Sequence, residues 1–75
     1  MLGYLELKGT GFGAQVALEL NIKKCSSLRA MRVIDDMAPI VIVAVIDGKE
    51  RNYNPDQLSR KSFGKVLDMM GFPGN

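Results

Sequence analysis

The sequence predicts a small α+β domain in which an antiparallel sheet packs against two helices in two layers, with the elements in the order ββαββα. Three features support this class: apolar residues that alternate with polar ones, one strong hairpin dipeptide, and residues that typically begin or end helices. With 75 residues, of which 47% are hydrophobic and 24% are charged, the chain has the size and composition of a single globular domain over residues 1–75.

The N-terminal third is predicted to form a β-hairpin. Leu5 and Leu7 alternate with polar neighbours, and residues 16–22 alternate in the same way, which places their larger apolar side chains on one side of a strand. Between them, residues 9–14 resemble the G-x-G-x-x-A fingerprint of dinucleotide-binding proteins. Because a strand is predicted after this segment, we interpret it as the hairpin turn. Residues 14–24 also contain good helix formers, so a helix there is the open alternative.

A first helix is predicted over residues 26–37. Two serines at its start can accept hydrogen bonds from its free backbone N–H groups. Leu28, Met31 and Ile34 recur at a three-residue spacing that is typical of the buried side of a helix. Pro39 lies just beyond this segment and cannot continue a helix, so the predicted element ends before it.

The second half is predicted to begin with another hairpin. Residues 40–46 are apolar on both faces and mostly β-branched, which strongly favours a strand. The dipeptide Asp47-Gly48 predicts a two-residue turn, because both residues tolerate the positive φ angles that such turns require. Residues 50–53 then return as the next strand.

A last helix is predicted to begin at the cap residue Asn54, with Pro55 in its first position, and to end before Gly71. Together the predicted elements define an apolar core. The side chains expected to be mostly buried are Leu5, Leu7, Val16, Leu18, Leu20, Ile22, Leu28, Met31, Ile34, Phe63, Leu67 and Met70.

Residue types exclude several kinds of chemistry. The chain has no histidine and one cysteine, Cys25, which removes histidine-based catalysis, most zinc sites and any intrachain disulfide. We therefore expect a protein that is not an enzyme and that holds neither a metal nor a cofactor. No apolar run approaches the roughly 20 residues that span a bilayer, and no signal peptide is recognisable, so we expect a cytoplasmic protein.

Basic residues give a first hypothesis on function. The formal net charge is only +2, but residues 23–32 contain four basic residues and no acidic one. Lysine and arginine contacts to phosphates supply much of the affinity of nucleic-acid-binding proteins. We therefore hypothesise a small regulatory module that binds DNA or RNA. The candidate contact residues are Lys23, Lys24, Arg29, Arg32, Lys49, Arg51 and Lys61.

The spacing of residues 51–72 supports an alternative fold. In MerR-type and excisionase-type winged helices, a segment with characteristic residues follows the wing. The order and spacing of these residues resemble those of Arg51, Tyr53, Leu58, Phe63, Gly71 and Phe72. Upstream, residues 16–22 resemble the first helix and turn of such a domain, and Leu28-Arg29 resembles the start of its recognition helix. The resemblance implies a winged helix with DNA contacts at Lys24, Arg29, Arg32, Lys49 and Arg51.

A second hypothesis is a protein-interaction module, such as an inhibitor or a small assembly subunit. The strand over residues 40–46 has no polar residue on either face, although two helices in a two-layer domain cover only one face of a sheet. Valines left uncovered would form an apolar patch that favours a homodimer or an obligate partner. A strand placed between two helices would need no partner, and this arrangement is the alternative. The candidate interface residues are Val41, Val43 and Val45.

Overall fold

The computed structural model describes residues 2–33 and 40–71, which form one four-stranded sheet and two α-helices. The elements are β1 (Leu2–Glu6), α1 (Gly11–Glu19), β2 (Ser27–Val33), β3 (Val41–Ile46), β4 (Lys49–Tyr53), a 3₁₀ turn (Pro55–Gln57) and α2 (Arg60–Met69). The strands lie in sequence order across the sheet, and each neighbouring pair is antiparallel. The predicted α+β class, with an antiparallel sheet and two helices, is therefore confirmed, although the elements follow the order βαβββα.

The first helix lies where the sequence predicted the first hairpin. Thr10 caps α1, because its hydroxyl accepts a hydrogen bond from the Gly13 N–H and donates one to the Leu7 carbonyl, each at 2.8 Å. Gly13 permits this close packing, since a Cβ atom there would overlap the Leu7 carbonyl oxygen. The prediction of a hairpin turn over residues 9–14 is therefore wrong. Because β2 runs antiparallel to β1, this segment also does not open the parallel unit of dinucleotide-binding folds.

The end of α1 explains why its sequence alternates like a strand. Val16 and Leu20 lie four residues apart on the buried side of the helix, whereas Leu18 faces solvent and is 72% exposed. Asn21 then adopts a left-handed φ of 59°, and the Ile22 N–H bonds back to a carbonyl of the last helical turn at 2.8 Å. This reversal returns the Ile22 side chain to the core. A helix and its cap therefore produce the alternation that predicted a strand.

Strand β2 lies where the sequence predicted the first helix. Leu28 and Ala30 are buried on the helix side of the sheet, and β2 provides the second hydrogen-bonded neighbour of the apolar strand β3. This pairing overrides the helix propensity of the segment. The winged-helix alternative is wrong at the same place, because its recognition helix would begin at Leu28-Arg29, which lies in the strand. The rest of the predicted helix, residues 34–37, lies outside the described residues.

The hairpin predicted at Asp47-Gly48 is confirmed. Strands β3 and β4 pair from Ile42 opposite Tyr53 to Ile46 opposite Lys49, which leaves a two-residue turn. Both turn residues have positive φ angles, 53° and 78°, as the type I′ turn of tight hairpins requires. The glycine adopts this conformation without a steric penalty.

The C-terminal helix begins later than the sequence predicted. Asn54 caps only the 3₁₀ turn Pro55–Gln57, after which the backbone is extended at Leu58 and Ser59. The Ser59 hydroxyl then accepts a hydrogen bond from the Ser62 N–H and caps α2. This break in the helical path allows the Leu58 side chain to enter the core, where it is buried.

Both helices pack on the same face of the sheet. Val16 of α1 and Val66 of α2 are fully buried in one cluster that contains Ile42 of β3. Val43 alternates with Ile42 along β3 and lies outside that cluster, on the opposite face. The domain therefore has two layers, and the alternative with one helix on each side of this strand is wrong.

The predicted core is confirmed at most of its positions. The exceptions among the described residues are Leu18, which is exposed, and Met31, whose side chain lies on the face of the sheet away from the helices, and Ile34 lies outside the described residues. Five of the predicted side chains are buried and five are partly buried. The buried ones are Leu7, Val16, Leu20, Ile22 and Leu28, and the partly buried ones are Leu5, Met31, Phe63, Leu67 and Met70.

Candidate interaction surfaces

The sheet turns one face towards the helices, and no helix of the described residues covers its second face. Because side chains alternate along each strand, the residues between core positions point to this second face, which we call the open face. The strand register places Glu6 opposite Arg29, Arg29 opposite Val43, and Val43 opposite Asn52 in one row across the sheet. The described side chains of the open face are Tyr4, Glu6, Ser27, Arg29, Met31, Val41, Val43, Val45, Glu50 and Asn52.

The three candidate interface valines all lie on the open face, but they are not equally accessible. Val43 is only 7% exposed, whereas Val41 and Val45 are partly buried. The cause is Arg29, whose Nη2 lies 3.5 Å from Glu50 Oε2. Because Arg29 is on β2 and Glu50 is on β4, the arginine side chain passes over β3 between them. The salt bridge therefore covers the middle of the apolar patch and leaves its two ends accessible.

At the edge of the open face formed by β1, the Tyr4 side chain contacts those of Glu6 and Arg29. The Tyr4 hydroxyl donates a hydrogen bond to Glu6 Oε1 at 2.8 Å, and the Tyr4 ring lies 5.8 Å from the Arg29 guanidinium carbon. Burial opposes ionisation of Glu6, but hydrogen bonds from Tyr4 and from the backbone N–H groups of Leu28 and Lys8 outweigh it and lower its pKa. The same hydrogen bond to Glu6 raises the pKa of Tyr4. Tyr4 is 52% exposed, so its ring is available to a partner.

The candidate nucleic-acid contacts do not share one face. Arg29 lies on the open face, whereas Arg32 lies beside α2, near Phe63 and Leu67. Lys49 and Arg51 are exposed on the edge strand β4, and both side chains lie on the helix side of the sheet. Lys61 is exposed on α2, beside the groove between the two helices. The structure therefore places Arg29 on the opposite side of the sheet from the other four.

Lysines converge instead at the end of the domain that contains the Asp47-Gly48 turn. Lys8 and Lys24 line a shallow cavity of about 430 Å³ next to this turn. Lys23 precedes Lys24 in the chain, and Lys49 directly follows the turn. We call Lys8, Lys23, Lys24 and Lys49 the lysine end. Sequence reasoning missed Lys8, whose position beside this turn follows only from the pairing of β1 with β2.

A groove of about 500 Å³ lies between α1 and α2 and is organised by Glu19. The Glu19 carboxylate accepts hydrogen bonds from the Gln15 side chain at 2.8 Å, from the Ser59 N–H at 2.7 Å and from the Ser62 hydroxyl at 2.6 Å. Led by the bond from Gln15, these contacts lower the pKa of Glu19 to about 2. The carboxylate is thus an ionised clamp between the helices rather than a proton-transfer group.

Residues 2–33 and 40–71 contain no group of three or more acidic, histidine or cysteine residues that could hold a metal ion. Cys25 is a free, partly buried thiol beside Lys24. Among the described residues, no helix combines the length and the apolar character needed to cross a membrane.

Comparisons with known proteins do not assign this chain to a family. No protein-family model matches the chain. No curated protein matches it. No solved structure matches it either.

Proposed function

We propose that this protein is a non-enzymatic protein-interaction module and that the open face is its contact surface. The observation that carries this proposal is the placement of both helices on one side of a sheet whose central strand is apolar on both sides. Apolar side chains that remain without a covering layer are typical of interaction sites. A cytoplasmic location is part of the proposal, because a protein with a lone free thiol needs no oxidising compartment.

The composition of the open face indicates the chemistry of its partner. Apolar contact area is offered by Tyr4, Val41 and Val45, which are at least partly accessible. Among the charged side chains of this face, Arg29 contributes +1 and Glu6 and Glu50 contribute −2, so its net charge is −1. A complementary partner therefore has an apolar surface rimmed by lysine or arginine.

The size of the open face indicates a weak or transient contact. Four strands spaced ~4.8 Å apart and about five residues long at ~3.3 Å per residue give a flat area of roughly 300 Å². This value is small beside the roughly 800 Å² that each partner buries in a stable interface of standard size. We expect the interaction to be reversible.

A pair of matched substitutions tests the open face. We expect Val45→Lys to abolish partner retention, because it replaces apolar contact area with a charge that repels a basic rim. Leu18→Lys is the control, since Leu18 is an exposed leucine on the helix side. Immobilised parent and Leu18→Lys proteins should retain the same proteins from host lysate, with and without nuclease, and Val45→Lys should lose them. Equal retention by all three proteins would contradict the proposal.

Nucleic-acid binding is a second candidate function, and the lysine end is the observation that favours it. Lys8 and Lys24 lie beside the Asp47-Gly48 turn, and Lys23 and Lys49 adjoin Lys24 and the turn in sequence. Four lysines and Asp47 therefore give the lysine end a formal charge of about +3 before screening. Phosphate groups of DNA or RNA fit such a surface, whereas the negatively charged open face does not. In this proposal the Asp47-Gly48 turn lies against the nucleic-acid backbone.

Salt-dependent binding tests this second function. Each phosphate contact that is lost should reduce the salt slope of binding by about one unit. We therefore expect Lys24→Ala to reduce the slope, and Lys61→Ala on α2 to leave it unchanged, when fluorescence anisotropy is measured on duplex DNA and on RNA. A parent protein that binds neither polymer at low salt would exclude this function.

A further inference from the structure

Strand β1 forms one edge of the sheet, and no described strand lies along its outer side. The Leu7 N–H donates to the Leu28 carbonyl at 2.7 Å, so the backbone of Leu7 faces β2. The direction of backbone groups alternates along an antiparallel strand. Leu5 therefore also faces β2, whereas Tyr4 and Glu6 direct their N–H and C=O groups away from the sheet. The outer edge of β1 thus presents the backbone hydrogen-bonding groups of Leu2, Tyr4 and Glu6 to another strand.

The two edges of the sheet differ in how they are protected. Strand β4, at the other edge, has three consecutive charged residues, Lys49, Glu50 and Arg51, and charges of this kind prevent edge-to-edge pairing. Strand β1 has a single charged residue, Glu6, among five. The Glu6 carboxylate is also occupied by hydrogen bonds within its own chain. The unprotected edge is therefore β1.

We infer that β1 pairs antiparallel with β1 of a second copy of this chain, so that two four-stranded sheets become one sheet of eight strands. A two-fold axis beside β1 brings the same edge of both copies together, as in the symmetric interfaces of most dimers. This contact uses the sheet edge and does not depend on the proposal for the open face. The predicted homodimer would therefore form along β1, where backbone hydrogen bonds join the two copies.

Side-chain complementarity selects the register of this pairing. In the register that places Leu5 beside the partner's Leu5, Tyr4 lies opposite the partner's Glu6. By symmetry, Glu6 lies opposite the partner's Tyr4. Within one chain the Tyr4 hydroxyl donates to Glu6 at 2.8 Å, and in this register the same donor and acceptor can exchange partners across the axis without loss of a hydrogen bond. This register places no like charges opposite each other. It also brings two partly buried leucines together on the helix side.

Proline substitutions test the edge directly. Tyr4→Pro removes an N–H group that faces the partner and removes none of the hydrogen bonds between β1 and β2, and proline is tolerated on edge strands. We expect the dimer dissociation constant to rise roughly tenfold or more, because two hydrogen bonds are lost per dimer. Asn52→Pro is the matched control, since Asn52 has the equivalent outward position on β4. It should leave the dissociation constant unchanged.

Sedimentation equilibrium of the full chain, with circular dichroism to verify folding, measures these constants. Tyr4→Val retains the N–H group and should retain the dimer, and Val45→Lys on the open face should retain it as well. If Tyr4→Pro does not fold, hydrogen exchange of the parent decides: the amides of Tyr4 and Glu6 should exchange more slowly as the protein concentration rises. A parent that stays monomeric at high micromolar concentration, or a folded Tyr4→Pro that associates as tightly as the parent, would overturn the inference.

Discussion

At the scale of single residues, Glu19 shows how one side chain joins two elements. It is the last residue of α1, and its carboxylate lies at the N-terminus of α2, where it accepts the Ser59 N–H. Unpaired backbone N–H groups and the helix dipole both stabilise a negative charge at this position. The Gln15 side chain and the Ser62 hydroxyl complete the contacts. The orientation of α2 relative to α1 is therefore coupled to the ionisation of one carboxylate.

This coupling predicts a defined pH dependence of stability. Because the folded-state pKa of Glu19 is about 2 and its ordinary value is 4.5, ionised Glu19 stabilises the fold fully above about pH 4.5. That contribution is lost as the pH falls towards 2. Glu19→Gln keeps the shape of the side chain and removes its charge. We expect the variant to be less stable than the parent near neutral pH and the difference to shrink near pH 2, as measured by urea unfolding.

Comparison of the two proteins isolates Glu19 from the other acidic groups. The pKa of Glu6 is also lowered, but Glu6 is present in both proteins, so its effect cancels in the difference. A difference in unfolding free energy that stays constant from neutral pH to pH 2 would show that the charge of Glu19 does not stabilise the fold.

At the scale of elements, the sequence predicts a structure well where its signals are local. The β3–β4 hairpin depends on one dipeptide and on β-branched residues beside it, and both signals act within a few residues. Helix α1 was predicted as a strand because an exposed leucine, Leu18, and a cap at Asn21 together imitate a two-residue period. The cap at Thr10 and the left-handed asparagine are the local signals that could have identified this helix.

Strand β2 shows where local signals are insufficient. Its residues favour a helix by propensity, and only the need of β3 for a second neighbour makes them a strand. The interaction surfaces have the same dependence on distant residues. Alternation predicts that Val41, Val43 and Val45 share a face, but Val43 is covered because Arg29 reaches Glu50, which is 21 residues away in sequence. The lysine end likewise forms only when β1, β2 and the β3–β4 turn meet.

At the scale of the whole molecule, a small core limits how much change the fold tolerates. A 75-residue domain has a total stability of only roughly 4–11 kcal/mol. One cluster, shared by both helices and the inner face of the sheet, contains every buried valine, leucine, isoleucine and alanine of the described residues except Val43. Loss of a single large side chain from this cluster therefore removes a large fraction of the stability.

Two leucines, one near the end of α1 and one at its C-cap, test this conclusion and the helix itself. Leu20 is 6% exposed and Leu18 is 72% exposed. We expect Leu20→Ala to lower the free energy of unfolding by about 2–5 kcal/mol, because it leaves a cavity in the core. Leu18→Ala should change it by no more than about 0.5 kcal/mol, since the side chain is in solvent and alanine favours helices. Urea denaturation measures both values. A strand through this segment would place both leucines on one buried face, so equal losses in the two variants would contradict the helix.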